Sequence, residues 1–154
     1  MFSQKAAARF ITPRGIAVDE SSNVYVGTLD AHAIRKITPD GTVTTFAGQA
    51  LEPGAIDAKG SAARFSMPWA LAVDAHGVLW VIDVASDFYH SMLRTGAPDG
   101  TVTLLAGKKG ESGSADGPGD VARFNSPTGI VADASGTLYV SDSFNNAIRT
   151  IRCR

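Results

Sequence analysis

One phrase, Ala-Arg-Phe followed by Pro and then Asp, occurs three times in this chain. It reads AAARFITPRGIAVD at 6–19, KGSAARFSMPWALAVD at 59–74 and VARFNSPTGIVAD at 121–133. Pro13, Pro68 and Pro127 are separated by 55 and 59 residues, and Arg9, Arg64 and Arg123 keep the same two intervals. So do Phe10, Phe65 and Phe124, the acids Asp19, Asp74 and Asp133, and the aromatics Tyr25, Trp80 and Tyr139. The four extra residues of the longer interval fall inside VASDFYHSML (84–93), because Asp83 to Arg94 spans 11 residues while Asp142 to Arg149 and Thr28 to Arg35 span 7. A repeat this long is one supersecondary unit that buries its faces against its neighbours.

Within a unit the pattern is that of four short strands. In the first unit they are GIAVD (15–19), NVYVGT (23–28), AIRKIT (33–38) and TVTTFAG (42–48). They are rich in Val, Ile, Thr and aromatics, and turn residues bound them. The turns DESSN, DAHG and DASG separate the first two strands, and PDG at 39–41 and 98–100 separates the last two. Asp-Gly supplies the left-handed backbone that a tight hairpin needs. No helical period is sustained, and both strand faces carry apolar or small residues, as sheets packed between neighbours require. Four-stranded antiparallel units in tandem predict an all-β protein built of β-propeller blades. Blade 1 is expected at about 9–48, a linker at 49–62, blade 2 at about 63–107, a second linker at 108–121 and a partial blade 3 at about 122–154.

The stretches PRGIAVDESSNVYVGTLDAHAIRKI (13–37) and PTGIVADASGTLYVSDSFNNAIRTI (127–151) resemble the NHL repeat, and the resemblance extends over nearly the whole chain in three copies. It implies four-stranded blades around a common axis. It further implies a platform for binding protein or RNA, with some related propellers being lyases that hold a metal near the axis. Two departures stand out: Gly27-Thr28 replaces a small residue followed by Asp, and Ala70-Leu71 replaces Gly-Ile. The third unit reaches only its third strand, AIRTIR (147–152). At the other end Phe2 lies 8 residues before Phe10, whereas Phe46 lies 19 before Phe65, so no outer strand is visible ahead of the first unit. Two readings stay open: a stretch of a longer propeller, or two copies pairing head to tail as a homodimer that completes a six-bladed ring.

Residues that recur in every unit point to architecture. Arg9, Arg64 and Arg123 are expected to pin the linkers to a carboxylate. Phe10, Phe65 and Phe124 are expected to fill gaps between blades, and Asp19, Asp74 and Asp133 to accept turn amides. Function is sought where the units differ. Before the inner strand the variable position reads Arg14, Trp69 and Thr128. Between the second and third strands the units read LDAH, VASDFYHS and SFNN, contributing His32, then Phe88, Tyr89 and His90, then Phe144 and Asn145. Aromatics anchor interfaces, so these nine residues form the candidate binding patch, with a protein as the expected partner.

Other chemistries find less support. A net charge of −1, with no Lys or Arg run longer than two, argues against nucleic acid as a partner. Trp69, Phe88 and Tyr89 could stack bases, but Asp30 and Asp87 oppose a polyanion. His76 sits in a turn at the opposite end of its blade from His32 and His90, so no metal site is expected from this chain alone, and no cofactor. Glu111, Asp116 and Asp120 in GESGSADGPGD (110–120) lack a calcium-loop pattern and read as a flexible connector. No Ser-His-Asp pattern or phosphate loop occurs. No apolar stretch approaches the roughly 18 residues of a membrane span, so no membrane association is expected. The basic start with Lys5, Arg9 and Arg14 coincides with repeat sequence and reads as structural rather than as a transit peptide. The single Cys153 rules out an internal disulfide framework and leans toward a reducing, cytoplasmic compartment. The leading expectation is a non-catalytic protein-interaction scaffold. The alternatives are part of a propeller lyase or hydrolase whose axial metal site is completed by other blades, and a purely structural repeat.

Overall fold

The computed structural model describes residues 9–87 and 89–152; residues 1–8, Phe88, Cys153 and Arg154 lie outside the described residues. Three antiparallel sheets follow one another along the chain. Blade 1 is β1 (Pro13–Val18), β2 (Val24–Thr28), β3 (Ala33–Ile37) and β4 (Val43–Gly48), hydrogen-bonded in that order. Blade 2 repeats the plan with β5 (Met67–Val73), β6 (Leu79–Val84), β7 (Ser91–Gly96) and β8 (Val102–Gly107). Blade 3 contributes β9 (Pro127–Ala132), β10 (Leu138–Asp142) and β11 (Ala147–Ile151). The first strands β1, β5 and β9 pack side by side, which stacks the three sheets as consecutive, unclosed blades of a propeller.

The turn between the first two strands of each blade is held by its Asp. One carboxylate oxygen of Asp74 accepts the amides of His76 (2.9 Å) and Val78 (3.0 Å), and the other accepts the Trp80 indole N–H at 3.0 Å. Asp19 bonds the amide and side chain of Asn23 (2.8 Å each) and the Tyr25 hydroxyl (3.2 Å). Asp133 bonds the amides of Ser135 and Thr137 (2.9 Å each) and the Tyr139 hydroxyl (3.4 Å). Each acid thus closes a turn and also orients the aromatic ring of the next strand. Burial would raise the Asp19 carboxyl, but the Asn23 donors, the Tyr25 hydroxyl and the charge of Lys36 outweigh it and leave Asp19 below its ordinary value. Burial, with the charge and hydrogen bond of Asp19, pushes Tyr25 up to about 12.

Those rings belong to the two cores, each sealed between a pair of blades. Tyr25, Ile34 and Ala47 of blade 1 meet Leu71, Leu79, Val81 and Val102 of blade 2 together with Phe65. Trp80, Ala72, Ile82 and Leu93 of blade 2 meet Ile130, Leu138 and Val140 of blade 3 together with Phe124. Phe65 is fully buried and Phe124 nearly so; burying such a ring stabilises by about 1.5–3 kcal/mol.

The linkers are fastened by the arginines. Arg64 donates to the carbonyls of Ser61 (2.7 Å) and Ala63 (2.9 Å) and to Glu52 at 2.6 Å. Arg123 grips Glu111 through Nε and NH2 (2.9 and 2.8 Å) and the carbonyls of Asp120, Val121 and Ala122. A second arginine, from the third strand, works from inside. Arg94 lies over the Phe65 ring (4.7 Å to its centroid) and bonds buried Asp83 (3.2 Å), the carbonyls of Ile56 (2.7 Å) and Arg64, and Asp57 (2.7 Å). Arg149 repeats this with Phe124, Asp142 (2.9 Å), the carbonyls of Ala115 (2.9 Å) and Arg123 (3.0 Å), and Asp116 (2.5 Å). Asp83 and Asp142 have no solvent exposure, and each also accepts an amide entering its inner strand, from Met67 at 2.9 Å and Asn125 at 2.8 Å. The 110–120 segment is therefore not the flexible connector its glycines suggest; two arginines hold its backbone, and at Gly119 a Cβ would sit 1.8 Å from the Leu105 carbonyl. Blade 1 departs from this plan. Thr28 replaces the Asp and donates to Ala33 O (2.6 Å), while Arg35 donates to Thr44 O (3.2 Å).

Two outcomes follow. Removing one member of a buried ion pair strands the other, at a cost of roughly 3–5 kcal/mol. Asp83→Ala should therefore lower the melting temperature far more than Asp99→Ala, whose carboxylate meets Lys59 on the surface, as calorimetry of the two variants would show. The Tyr25 phenol, raised from 10 to about 12, adds stability that is complete below about pH 10 and is lost as pH climbs through 12. A spectroscopic tyrosinate titration should contain a late step that moves toward pH 10 in Asp19→Asn; an unmoved step would rule out Asp19 as its cause.

Candidate functional site

Each inner strand carries a β-bulge near its start. Pro68 pairs with Asp83 and Ala70 with Ile82, leaving Trp69 as the extra residue. Pro127 pairs with Asp142 and Gly129 with Ser141, leaving Thr128 in the same position. In β1 the shift falls between Pro13 and Ile16, the interval that holds Arg14 and Gly15. The variable positions thus sit at bulges within the inner strands rather than in the loops before them. A bulge re-aims its side chain away from the sheet plane. The strand pairings put these bulges at the same end of the blades as the β2–β3, β6–β7 and β10–β11 connections.

The patch residues are brought together across blade boundaries. The Arg14 guanidinium lies 3.6 Å from the Trp69 ring centroid, stacking a cation from blade 1 on an aromatic of blade 2. At exposed sites such a contact contributes about 0.5–1 kcal/mol. Tyr89 of blade 2 packs on Phe144 of blade 3 with centroids 5.8 Å apart and rings tilted by 60°. Both rings remain open to solvent, Tyr89 at 52% and Phe144 at 60%. The Thr128 hydroxyl meets Ser143 at 2.6 Å and Ser141 at 3.3 Å.

The remaining candidates are engaged in holding the loops. His32, at φ 54°, bonds Ser66 O through Nδ1. His90 pairs through Nδ1 with Asp87. The Asp87 carboxylate also accepts the amides of Tyr89 (3.1 Å) and His90 (3.2 Å). Burial would raise Asp87, but these amides and the His90 side chain leave it below its usual range. The Asn145 side chain turns inward and donates to Gly113 O (2.7 Å) and Asp142 (2.8 Å), so it ties the linker rather than facing a partner. Phe88 falls outside the described residues. Arg9 is exposed, and Phe10 is half-buried with Arg35 5.9 Å from its ring centroid.

Sequence reasoning passed over Glu52 and Asp57 as partners of the arginines and read Glu111 and Asp116 only as parts of a flexible connector. Glu52 to Glu111 and Asp57 to Asp116 both keep the 59-residue interval of the repeat, which was the available signal. Among the described residues no three His, Cys, Asp or Glu side chains converge closely enough to hold a metal ion. No helix among them is long and apolar enough to cross a membrane.

Comparison with known proteins places these blades. Residues 124–150 match the NHL repeat family. Teneurin-3 of Mus musculus is 28% identical over 157 residues, covering 90% of this chain and 6% of the teneurin. A Bacteroides thetaiotaomicron protein of unknown function superposes with a TM-score of 0.74 at 31% identity, over 84% of this chain and 32% of its own. An auxiliary nutrient binding protein from the same organism gives a TM-score of 0.75 at 27% identity, over 89% of this chain and 36% of its own. The chain spans about a third of those solved structures and a small part of the teneurin.

Proposed function

We propose that this chain, an NHL-repeat β-propeller, is a non-catalytic protein-interaction scaffold that presents the bulge end of its blades to a partner. The observation that carries the reading is the pair of contacts across successive blade boundaries, Arg14 on Trp69 and Tyr89 on Phe144. Rigid aromatic anchors that need little ordering on binding are the usual energetic centres of protein interfaces. The joints beneath them recur from blade to blade while the exposed side chains change, so the scaffold stays constant as the recognition surface varies. Replacing Trp69 and Tyr89 together by Ala should lower the melting temperature somewhat, since Trp69 also packs against the core between blades 2 and 3, keep the native β-sheet circular dichroism, and abolish co-purification of a partner; retained capture by the folded variant would defeat the patch.

A second reading is favoured by the two end faces. On blade 1, Ile16 and Val18 are 64% and 56% exposed, while the equivalent Leu71 of blade 2 is 5% exposed. On blade 3, Val131, Tyr139 and Ile148 are 62%, 39% and 68% exposed, against 7%, 6% and 1% for Ala72, Trp80 and Leu93. Within the chain, faces of these two kinds bury one another. Two copies joined head to tail would cover both and make six blades, a homodimeric ring. Sedimentation equilibrium should then give twice the chain mass, with Ile148→Asp returning it to the monomer; a wild-type monomer at all concentrations would exclude the pairing.

A further inference from the structure

Arg14 is engaged differently from the arginines of the third strands and the linkers. Arg35, Arg64, Arg94, Arg123 and Arg149 each donate to a carbonyl or a carboxylate. Arg14 is exposed, and among the described residues no oxygen accepts from its guanidinium. What fixes it is the Trp69 ring, whose centroid lies 3.6 Å from the guanidinium carbon. So close an approach leaves room only for face-to-face stacking.

The platform is itself held in place. Trp69 packs against the core between blades 2 and 3. The inner strand of blade 1 runs hard against it, since a Cβ on Gly15 would come within 2.9 Å of the Trp69 carbonyl. A guanidinium stacked by its face keeps its N–H donors in its own plane, directed outward. That fork matches the two oxygens of a carboxylate, and a side chain already ordered loses little freedom on binding.

The acids in the adjoining connections already have donors. Asp30 accepts the Thr12 hydroxyl, and Asp87 pairs with His90. Both still repel an extended polyanion, so the group that suits Arg14 is one carboxylate in an otherwise uncharged segment. The open rings of Tyr89 and Phe144 call for an apolar side chain in the same segment.

We propose that Arg14 is the specificity-determining residue of the bulge-end patch, receiving an Asp or Glu side chain of a protein partner whose nearby apolar residue packs on Tyr89 and Phe144. The assignment rests on the reading of that patch as a protein-binding surface and adds the chemistry of the partner. Trp69 then acts as a positioning residue, holding the fork open for the carboxylate.

The probe is a displayed library of random linear peptides, selected on the intact chain, on Arg14→Gln and on the double variant Trp69→Ala with Tyr89→Ala. Arg14→Gln should keep the native β-sheet circular dichroism, because the side chain is exposed. The wild-type pool should converge on an Asp or Glu at a fixed spacing from an aromatic or branched apolar residue. The Arg14→Gln pool should keep the apolar residue and lose the acid. Changing that acid to its amide in a selected peptide should weaken binding to the wild type about tenfold, as loss of a charge-assisted hydrogen bond does. The same change should leave binding to Arg14→Gln unaltered. Arg14→Lys, which keeps the charge without the fork, should recover only part of the preference. Peptides that need Trp69 and Tyr89 but carry no preferred acid would overturn the role of Arg14 and leave the patch standing, as would an acid preference that survives Arg14→Gln. A wild-type pool that binds the double variant equally well, or no enriched pool at all, would overturn both.

Discussion

A carboxylate sealed from water holds each linker to its blade, and the arrangement of the blades depends on it. Asp83 and Asp142 gain little net stability from burial beside an arginine, because taking both charges out of water offsets most of their attraction. What the pair imposes is geometry. The guanidinium of Arg94 is satisfied only when the carbonyls of Ile56 and Arg64, the carboxylate of Asp57 and that of Asp83 all converge on it. A linker in any other path would leave a buried charge without partners. The chain therefore has one way to pass from blade 1 to blade 2, and Arg149 enforces the same path into blade 3.

That constraint explains how a repeat can vary its surface without losing its shape. With the linkers locked and the inner strands packed side by side, the bulge on each inner strand returns at the same end of every blade. Side chains at the bulges and in the adjoining connections are then free to change. Where they change to aromatics they meet across blade boundaries, since adjacent blades bring their bulge ends together. Loop acids and amides finish the arrangement: Asp87 holds the loop carrying Tyr89, and Asn145 ties the loop carrying Phe144 to the linker.

Blade 1 shows what happens when the lock is relaxed. Thr28 keeps the end of β2 closed with a neutral hydroxyl bond, and Arg35, half-buried, finds a backbone carbonyl of β4. Only the acid is lost at this site; Arg35 stays, and because it is half-buried rather than sealed, a carbonyl and solvent serve in place of the carboxylate, so no buried ion is left isolated. Glycine at position 27 is needed for a separate reason: a Cβ there would lie 2.3 Å from the Pro68 carbonyl of the next blade. At Gly27-Thr28 the departure is therefore Thr28 alone, while Gly27 keeps the small residue that the nearby Pro68 carbonyl requires.

The spacing of residues determined much by itself. The 55- and 59-residue intervals, the Asp-Gly hairpins and the strand composition specify antiparallel blades in tandem, because backbone geometry and the burial of two-faced sheets are local demands that short patterns record. The same spacing contained the linker acids, since Glu52 with Glu111 and Asp57 with Asp116 repeat in register. It did not contain their partners. Which carboxylate meets which guanidinium depends on the linker folding back across its blade, bringing together residues such as Asp57 and Leu104 that lie 47 positions apart. The same holds for Asn145, which by sequence stands among the exposed loop residues and in space faces the linker. Pattern settled the blade; long-range contact settled the linker path and the paired aromatics.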